Sequence, residues 1–130
     1  MIKNIALPIT LIILFCLYIF SSCNNKFKTV DVKEFEELIK KDNIIILDVR
    51  TDDEFKSGHI EKAINIDYES KDFIKNCNTL LNKENTIAIY CQSGSRSKES
   101  AKLLTKENFT VINLKGGIDN WKKYNKLLKK

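Results

Sequence analysis

Glycine, proline, arginine and histidine are all scarce in this chain. Its 130 residues hold four glycines, one proline, two arginines and one histidine. The single proline is Pro8, and beyond residue 27 no repeat, low-complexity segment or Pro/Gly-rich linker divides the chain, so residues 27–130 read as one compact unit. One histidine among scattered carboxylates makes no group with metal-ligand spacing, so neither a metal nor a cofactor is called for. The formal net charge is +5, but the lysines are spread out, with no aromatic-interleaved basic stripe and no nucleic-acid motif. That argues against nucleic acid as a partner. A lysine-rich end (Lys122, Lys123, Lys126, Lys129, Lys130) reads as a solvated helix terminus.

The longest apolar run is at the front. Residues 5–20 are almost uninterruptedly apolar behind the basic Lys3, and Ser21-Ser22-Cys23 follows before the polar Asn24-Asn25-Lys26. Sixteen residues fall short of the ~20 that a spanning helix needs, and small residues at the end of the run suit cleavage. The arrangement Phe20-Ser21-Ser22-Cys23 resembles the lipobox of bacterial lipoproteins, with Phe20 where that pattern usually has Leu. The resemblance implies a signal peptide over residues 1–22, and a lipidated Cys23 as the mature N-terminus. The protein would then be exported and anchored to a membrane through that lipid, facing the periplasm or the cell exterior. An uncleaved N-terminal anchor and a soluble secreted form are the alternatives.

Scarcity gives the remaining special residues weight. Among 22 basic residues only Arg50 and Arg96 are arginine, so each marks a place where a planar, bidentate cation serves and an ammonium does not. Arg96 closes the segment Cys91-Gln92-Ser93-Gly94-Ser95-Arg96, which follows the apolar run at residues 87–90 and leads into a helix-favouring stretch. A cysteine delivered by a strand into a loop that closes on a helix meets backbone N–H groups and the positive end of the helix dipole. Such settings favour thiolate over thiol. Gly94 lets the loop turn tightly, and the Arg96 fork suits an oxyanion. The chain reads as an enzyme with Cys91 as nucleophile.

Around this loop the elements alternate. Asp31-Val32-Lys33-Glu34 has capping-box form and opens a helix that places Phe35, Leu38 and Ile39 on one face. Residues 44–47 read as a buried strand ending at Asp48-Val49-Arg50, 52–56 as a helical turn, 60–66 as a short strand and 71–81 as a helix. Strand 86–90, helix 97–107 and strand 110–114 follow. Gly116-Gly117 then turns the chain into a last helix at 118–128, with Trp121 and Leu128 inward. Strands separated by helices predict an α/β fold, a parallel sheet covered by helices on both faces, with ligands at the carboxyl ends of the strands. Arg50 and Cys91 both lie there. Arg50 is expected to pin its strand end through Asp48, Asp52 or Glu54, and His59 to bond backbone. Cys16 would be lost with the leader and Cys23 lipidated. A Cys77–Cys91 disulfide would block the nucleophile, so Cys77 reads as a small, partly buried side chain.

Taken in order, Leu47-Asp48-Val49-Arg50, Glu54-Phe55, Gly58-His59-Ile60, Ala63-Ile64-Asn65-Ile66, Tyr90 to Ser97, Leu114-Lys115-Gly116-Gly117 and Trp121 resemble a single-domain rhodanese, a sulfurtransferase. The resemblance covers essentially the whole of residues 27–130. It departs at Glu61-Lys62, where the family usually has a Pro-Gly-like turn, and at Asp67, where a proline is usual. It implies a rhodanese-like sheet and a reaction in which Cys91 takes a sulfane sulfur from a donor such as thiosulfate. The persulfide then passes that sulfur to a thiol or cyanide acceptor. Backbone of Gln92, Ser93, Gly94, Ser95 and Arg96 would cradle the sulfur, Arg96 would hold the donor's sulfonate, and Asp48 and Arg50 would support the site. Two other readings remain. A Cys-based phosphatase or arsenate reductase also brackets an anion between Cys and Arg, but with five intervening residues where this chain has four. A non-catalytic rhodanese-like binding module usually lacks the cysteine.

Overall fold

The computed structural model describes residues 11–14, 26–124 and 126–130. Apart from the short helical turn at 11–14, the expected leader lies outside the described residues, as does Cys23. Among the described residues no helix is long and apolar enough to cross a membrane.

In chain order the elements are β1 (Lys28–Val30), α1 (Val32–Leu38), β2 (Ile44–Asp48), α2 (Asp52–Lys56), β3 (Ile64–Asn65), α3 (Phe73–Leu80), β4 (Thr86–Tyr90), α4 (Ser95–Lys106), β5 (Thr110–Leu114) and α5 (Gly117–Lys123). The sheet runs β1-β5-β4-β2-β3, and every pairing is parallel. Strands β2 and β4 are apolar along most of their length because both faces are covered. Cys77 of α3, Ala101 and Leu104 of α4, and Phe109 pack with Leu47, Ile87 and Ile89 in one core. Val32 and Phe35 of α1 and Ile118 and Trp121 of α5 pack with Ile46, Ala88 and Tyr90 in the other. Phe35 meets Trp121 edge-on. The expected doubly covered parallel sheet is therefore present.

Four boundaries differ from the sequence reading. Strand β1 is additional, paired with β5 through three residues from Lys28↔Ile112 to Val30↔Leu114. Strand β3 is only Ile64–Asn65 where the sequence predicts a strand over 60–66, because Ile60 packs in the α1/α5 core while Ile66 packs in the α3/α4 core. Helix α4 starts at Ser95, two residues early, because Gly94 takes a left-handed φ of 107° as its N-cap. Helix α5 stops at Lys123, and the chain returns so that His59 and Lys129 exchange two backbone hydrogen bonds of 2.8 Å. Leu128 does pack inward as expected.

The two departures from the family pattern stay local. Lys62 has φ 68°, the conformation a glycine adopts without strain. Asp67 accepts from the Glu69 N–H at 2.8 Å, a side-chain-closed turn in place of a proline.

Candidate active site

The strand register builds the site. Asp48 of β2 lies beside Tyr90 of β4, so the residues that leave the two strands, Arg50 and Cys91, emerge together at the carboxyl edge. Cys91 is fully buried, and the Gly94 N–H donates to its Sγ at 3.1 Å. The sulfur thus sits at the base of a loop that turns back on it through the left-handed Gly94. Ser97, buried beneath, donates its hydroxyl to the Gly94 carbonyl at 3.2 Å, and Ser100 donates to the Arg96 carbonyl at 2.7 Å. These bonds fix the loop's carbonyls on the helix side and leave Gly94 N–H for the sulfur.

A second clamp comes from α5. Cys91 O accepts from Ile118 N–H at 2.9 Å and Gln92 O accepts from Asp119 N–H at 3.1 Å. For this approach the chain needs glycine: a Cβ on Gly117 would lie 2.4 Å from Cys91 O and 2.6 Å from Gln92 O. Gly116-Gly117 is therefore the strand-to-helix turn expected from the sequence, and also a wall of the loop.

Arg96 makes a bidentate pair with Glu54. Nη1 donates to Oε1 at 2.7 Å and Nη2 to Oε2 at 2.8 Å. Glu54 is itself held in a reciprocal capping box with Thr51 at the start of α2. The Arg96 hydrogen bonds hold the Glu54 carboxyl down at about 2 against the opposing pull of burial, with Thr51 adding to the lowering. The same contact, partly opposed by burial, raises Arg96, and the nearby Cys91 charge adds to the rise. Sequence reasoning assigns Arg96 to the donor anion and misses Glu54 as its partner. The Thr51-x-x-Glu54 pattern is the available signal.

Arg50 resolves among its three expected partners to Asp48. Its Nη2 donates to Asp48 Oδ2 at 2.7 Å, Nε reaches both carboxylate oxygens at 3.1 Å, and its backbone N–H donates to Oδ1 at 2.9 Å. Both residues are buried. Burial works against the Arg50 charge, and the Asp48 hydrogen bonds and charge outweigh it, so the guanidinium is raised. Remaining donors reach Gly58 O at 2.8 Å and, at a long 3.4 Å, Gln92 Oε1. The Gln92 Nε2 donates onward to Asp119 Oδ1 at 2.5 Å. Gln92 thus ties the loop to Arg50 on one side and α5 on the other. Asn65, which the sequence reading does not single out, donates to the Asp48 and Arg50 carbonyls at 3.1 and 2.9 Å.

Ser93 and Ser95 lie exposed on the loop. His59 stacks on Phe55 and its Nδ1 bonds the Phe55 carbonyl at 2.9 Å, a structural role away from the sulfur. Cys77 and Cys91 are both free, and burial pushes the Cys77 thiol up to about 12, which leaves it unreactive. Among the described residues no group of three or more His, Cys, Asp or Glu could hold a metal ion.

The model of the rhodanese-like domain matches residues 31–124. The thiosulfate sulfurtransferase GlpE of Coxiella burnetii is 31% identical over 97 residues, covering 74% of this chain and 88% of the relative. The tRNA uridine(34) hydroxylase of Acinetobacter baylyi is 39% identical over 94 residues, which is 68% of this chain and only 30% of that protein's length. Among solved structures, a Staphylococcus saprophyticus protein superposes with a TM-score of 0.68 at 30% identity, covering 80% of this chain and all of the other. A rhodanese-related protein of Thermoplasma volcanium gives 0.70 at 23%, covering 79% and 98%, a likeness of fold.

Proposed function

This chain belongs to the rhodanese-like domain family, and we propose that it is a sulfurtransferase that carries sulfane sulfur as a persulfide on Cys91. The observation that carries the reading is the contact of Gly94 N–H with Cys91 Sγ at the base of a four-residue loop. The relative named as a thiosulfate sulfurtransferase, matched over 88% of its length, supports the same chemistry.

In the proposed first half-reaction the Cys91 thiolate attacks the outer sulfur of thiosulfate. A new S–S bond forms, the donor's S–S bond breaks, and its electron pair leaves on sulfite. Two Arg96 N–H groups are taken by Glu54, so three of its five donors are left for the sulfonate oxygens. Glu54 is then a positioning residue that aims the Arg96 fork. In the second half-reaction an acceptor thiolate, or cyanide, attacks the outer sulfur and returns the Cys91 thiolate. Burial of Cys91 suits this sequence, because the persulfide moves the reactive atom about 2 Å outward from Sγ. The N–H donors of the loop stabilise whichever sulfur bears the charge.

The test is formation of thiocyanate from thiosulfate and cyanide by wild type, Cys91→Ser and Arg96→Ala. Activity in wild type, none in Cys91→Ser and an intermediate level in Arg96→Ala is expected. A Cys91→Ser protein as active as wild type contradicts the reading.

We further propose that Cys23 is lipidated and tethers the domain to a membrane outside the cytoplasm. The Ser21-Ser22-Cys23 sequence after an apolar run supports this. Mass analysis of the mature N-terminus should find an acylated Cys23, and an intact N-terminus at Met1 or an unmodified Cys23 would refute it.

A further inference from the structure

Asp119, in the first turn of α5, holds Gln92, the residue after Cys91, at two points. Its backbone N–H donates to Gln92 O at 3.1 Å, and its carboxylate Oδ1 accepts from Gln92 Nε2 at 2.5 Å. On the other side of the same amide, Arg50 Nη1 reaches Gln92 Oε1 at a long 3.4 Å. The Gln92 amide is thereby turned with its oxygen to the buried cation and its NH2 to the carboxylate, an orientation that both charges favour.

Two consecutive carbonyls of the loop point at α5, Cys91 O to Ile118 N–H at 2.9 Å and Gln92 O to Asp119 N–H. In a trans peptide the C=O and the N–H that follows it point in opposite directions. The Gln92 and Ser93 N–H groups therefore face away from α5. They belong to the loop donors that the proposed sulfur transfer uses. Rotation of the Gln92–Ser93 peptide would exchange its N–H for a carbonyl oxygen, and stabilisation of a charged sulfur for repulsion. One main-chain bond leaves that peptide free to rock, whereas the added side-chain bond fixes it.

We infer, resting on the persulfide chemistry proposed above, that Asp119 is a positioning residue for sulfur transfer. Through the Gln92 side chain it keeps the two peptides after Cys91 turned with their N–H groups toward the sulfur. Both of its bonds go to Gln92 rather than to Cys91. Its part differs from that of Glu54, which aims the Arg96 fork at the donor's oxygens, so the two positions separate in kinetics.

The test is single-turnover loading of the reduced protein by thiosulfate, followed by mass, and discharge by cyanide. In Asp119→Ala, which keeps the backbone N–H, the maximal rates of both steps should fall about fivefold, the factor one hydrogen bond supplies. The thiosulfate concentration that half-saturates loading should stay unchanged, because it reports Arg96. Asp119→Asn, whose amide oxygen still accepts from Gln92, should recover most of the loss. In a Gln92→Ala background Asp119→Ala should add no further effect, since the two side chains act as one unit. Equal rates in Asp119→Ala and wild type, a loss undiminished in Gln92→Ala, or a loss confined to half-saturation would each overturn the role of Asp119. Wild type that takes up no sulfur would instead overturn the persulfide chemistry on which that role rests.

Discussion

Arg96 and Glu54, far apart in sequence, are joined through two parallel hydrogen bonds of 2.7 and 2.8 Å, so the last residue of the Cys91 loop is fixed to the first turn of α2. A planar fork held at two points cannot rotate, and its remaining N–H groups keep a set direction. The direction of the Arg96 fork therefore depends on a carboxylate outside the loop.

Glu54→Gln should lower kcat/KM for thiosulfate about tenfold, mainly through KM, because the loss of one charge-assisted bond frees the fork without removing it. Arg96→Lys should fall further, since an ammonium cannot make both bonds and also bind sulfonate. Steady-state kinetics over a range of thiosulfate check this. An unchanged KM in Glu54→Gln would show that Glu54 does not position Arg96.

The same pair sets an acid limit. Glu54 is lowered from 4.5 to about 2 in the folded protein, so its contribution to stability is fully present above the unfolded value and is lost as pH falls through the folded one. Urea unfolding of wild type should weaken between about pH 4.5 and 2, and Glu54→Gln should show a shallower loss over that window. Parallel curves for the two proteins would show that Glu54 does not gain stability from its pairing with Arg96.

Gly117→Ala should both unfold the protein more easily and disable the loop. The added Cβ would meet two carbonyl oxygens of the loop at 2.4 and 2.6 Å, with φ at 61° adding strain. A loss of at least about 2 kcal/mol is expected in denaturant unfolding. A neutral substitution would mean that α5 does not clamp Cys91 and Gln92 closely.

Lys62→Gly should act in the opposite direction. Lys62 is exposed at φ 68°, so glycine relieves left-handed strain at some cost in unfolded-chain entropy, for a net gain of about 0.5–1 kcal/mol. Thermal unfolding measures it, and a lower midpoint would count against strain at this turn.

The Cys91–Arg96 loop and the doubly covered sheet are readable in the sequence because both are local signals: apolar strands, helical periods, and rare residues set between them. The missing pieces are long-range. β1 is three residues with no period to detect, and it exists as a strand only through pairing with β5. The last helix reads too long because Leu127 and Leu128 continue an apolar pattern, yet that segment is drawn back to His59 by backbone bonds. Arg96 stands out as special but its partner does not, since a carboxylate 42 positions away leaves no mark of proximity in the chain. The second role of Gly117 is hidden for the same reason.

The most direct test of a Cys91 persulfide is the intact mass of reduced, folded protein before and after thiosulfate, with Cys91→Ser alongside and cyanide added last. Wild type alone should gain one sulfur atom, which cyanide then removes as thiocyanate appears. No gain on wild type, or an equal gain on Cys91→Ser, would contradict sulfur transfer through Cys91.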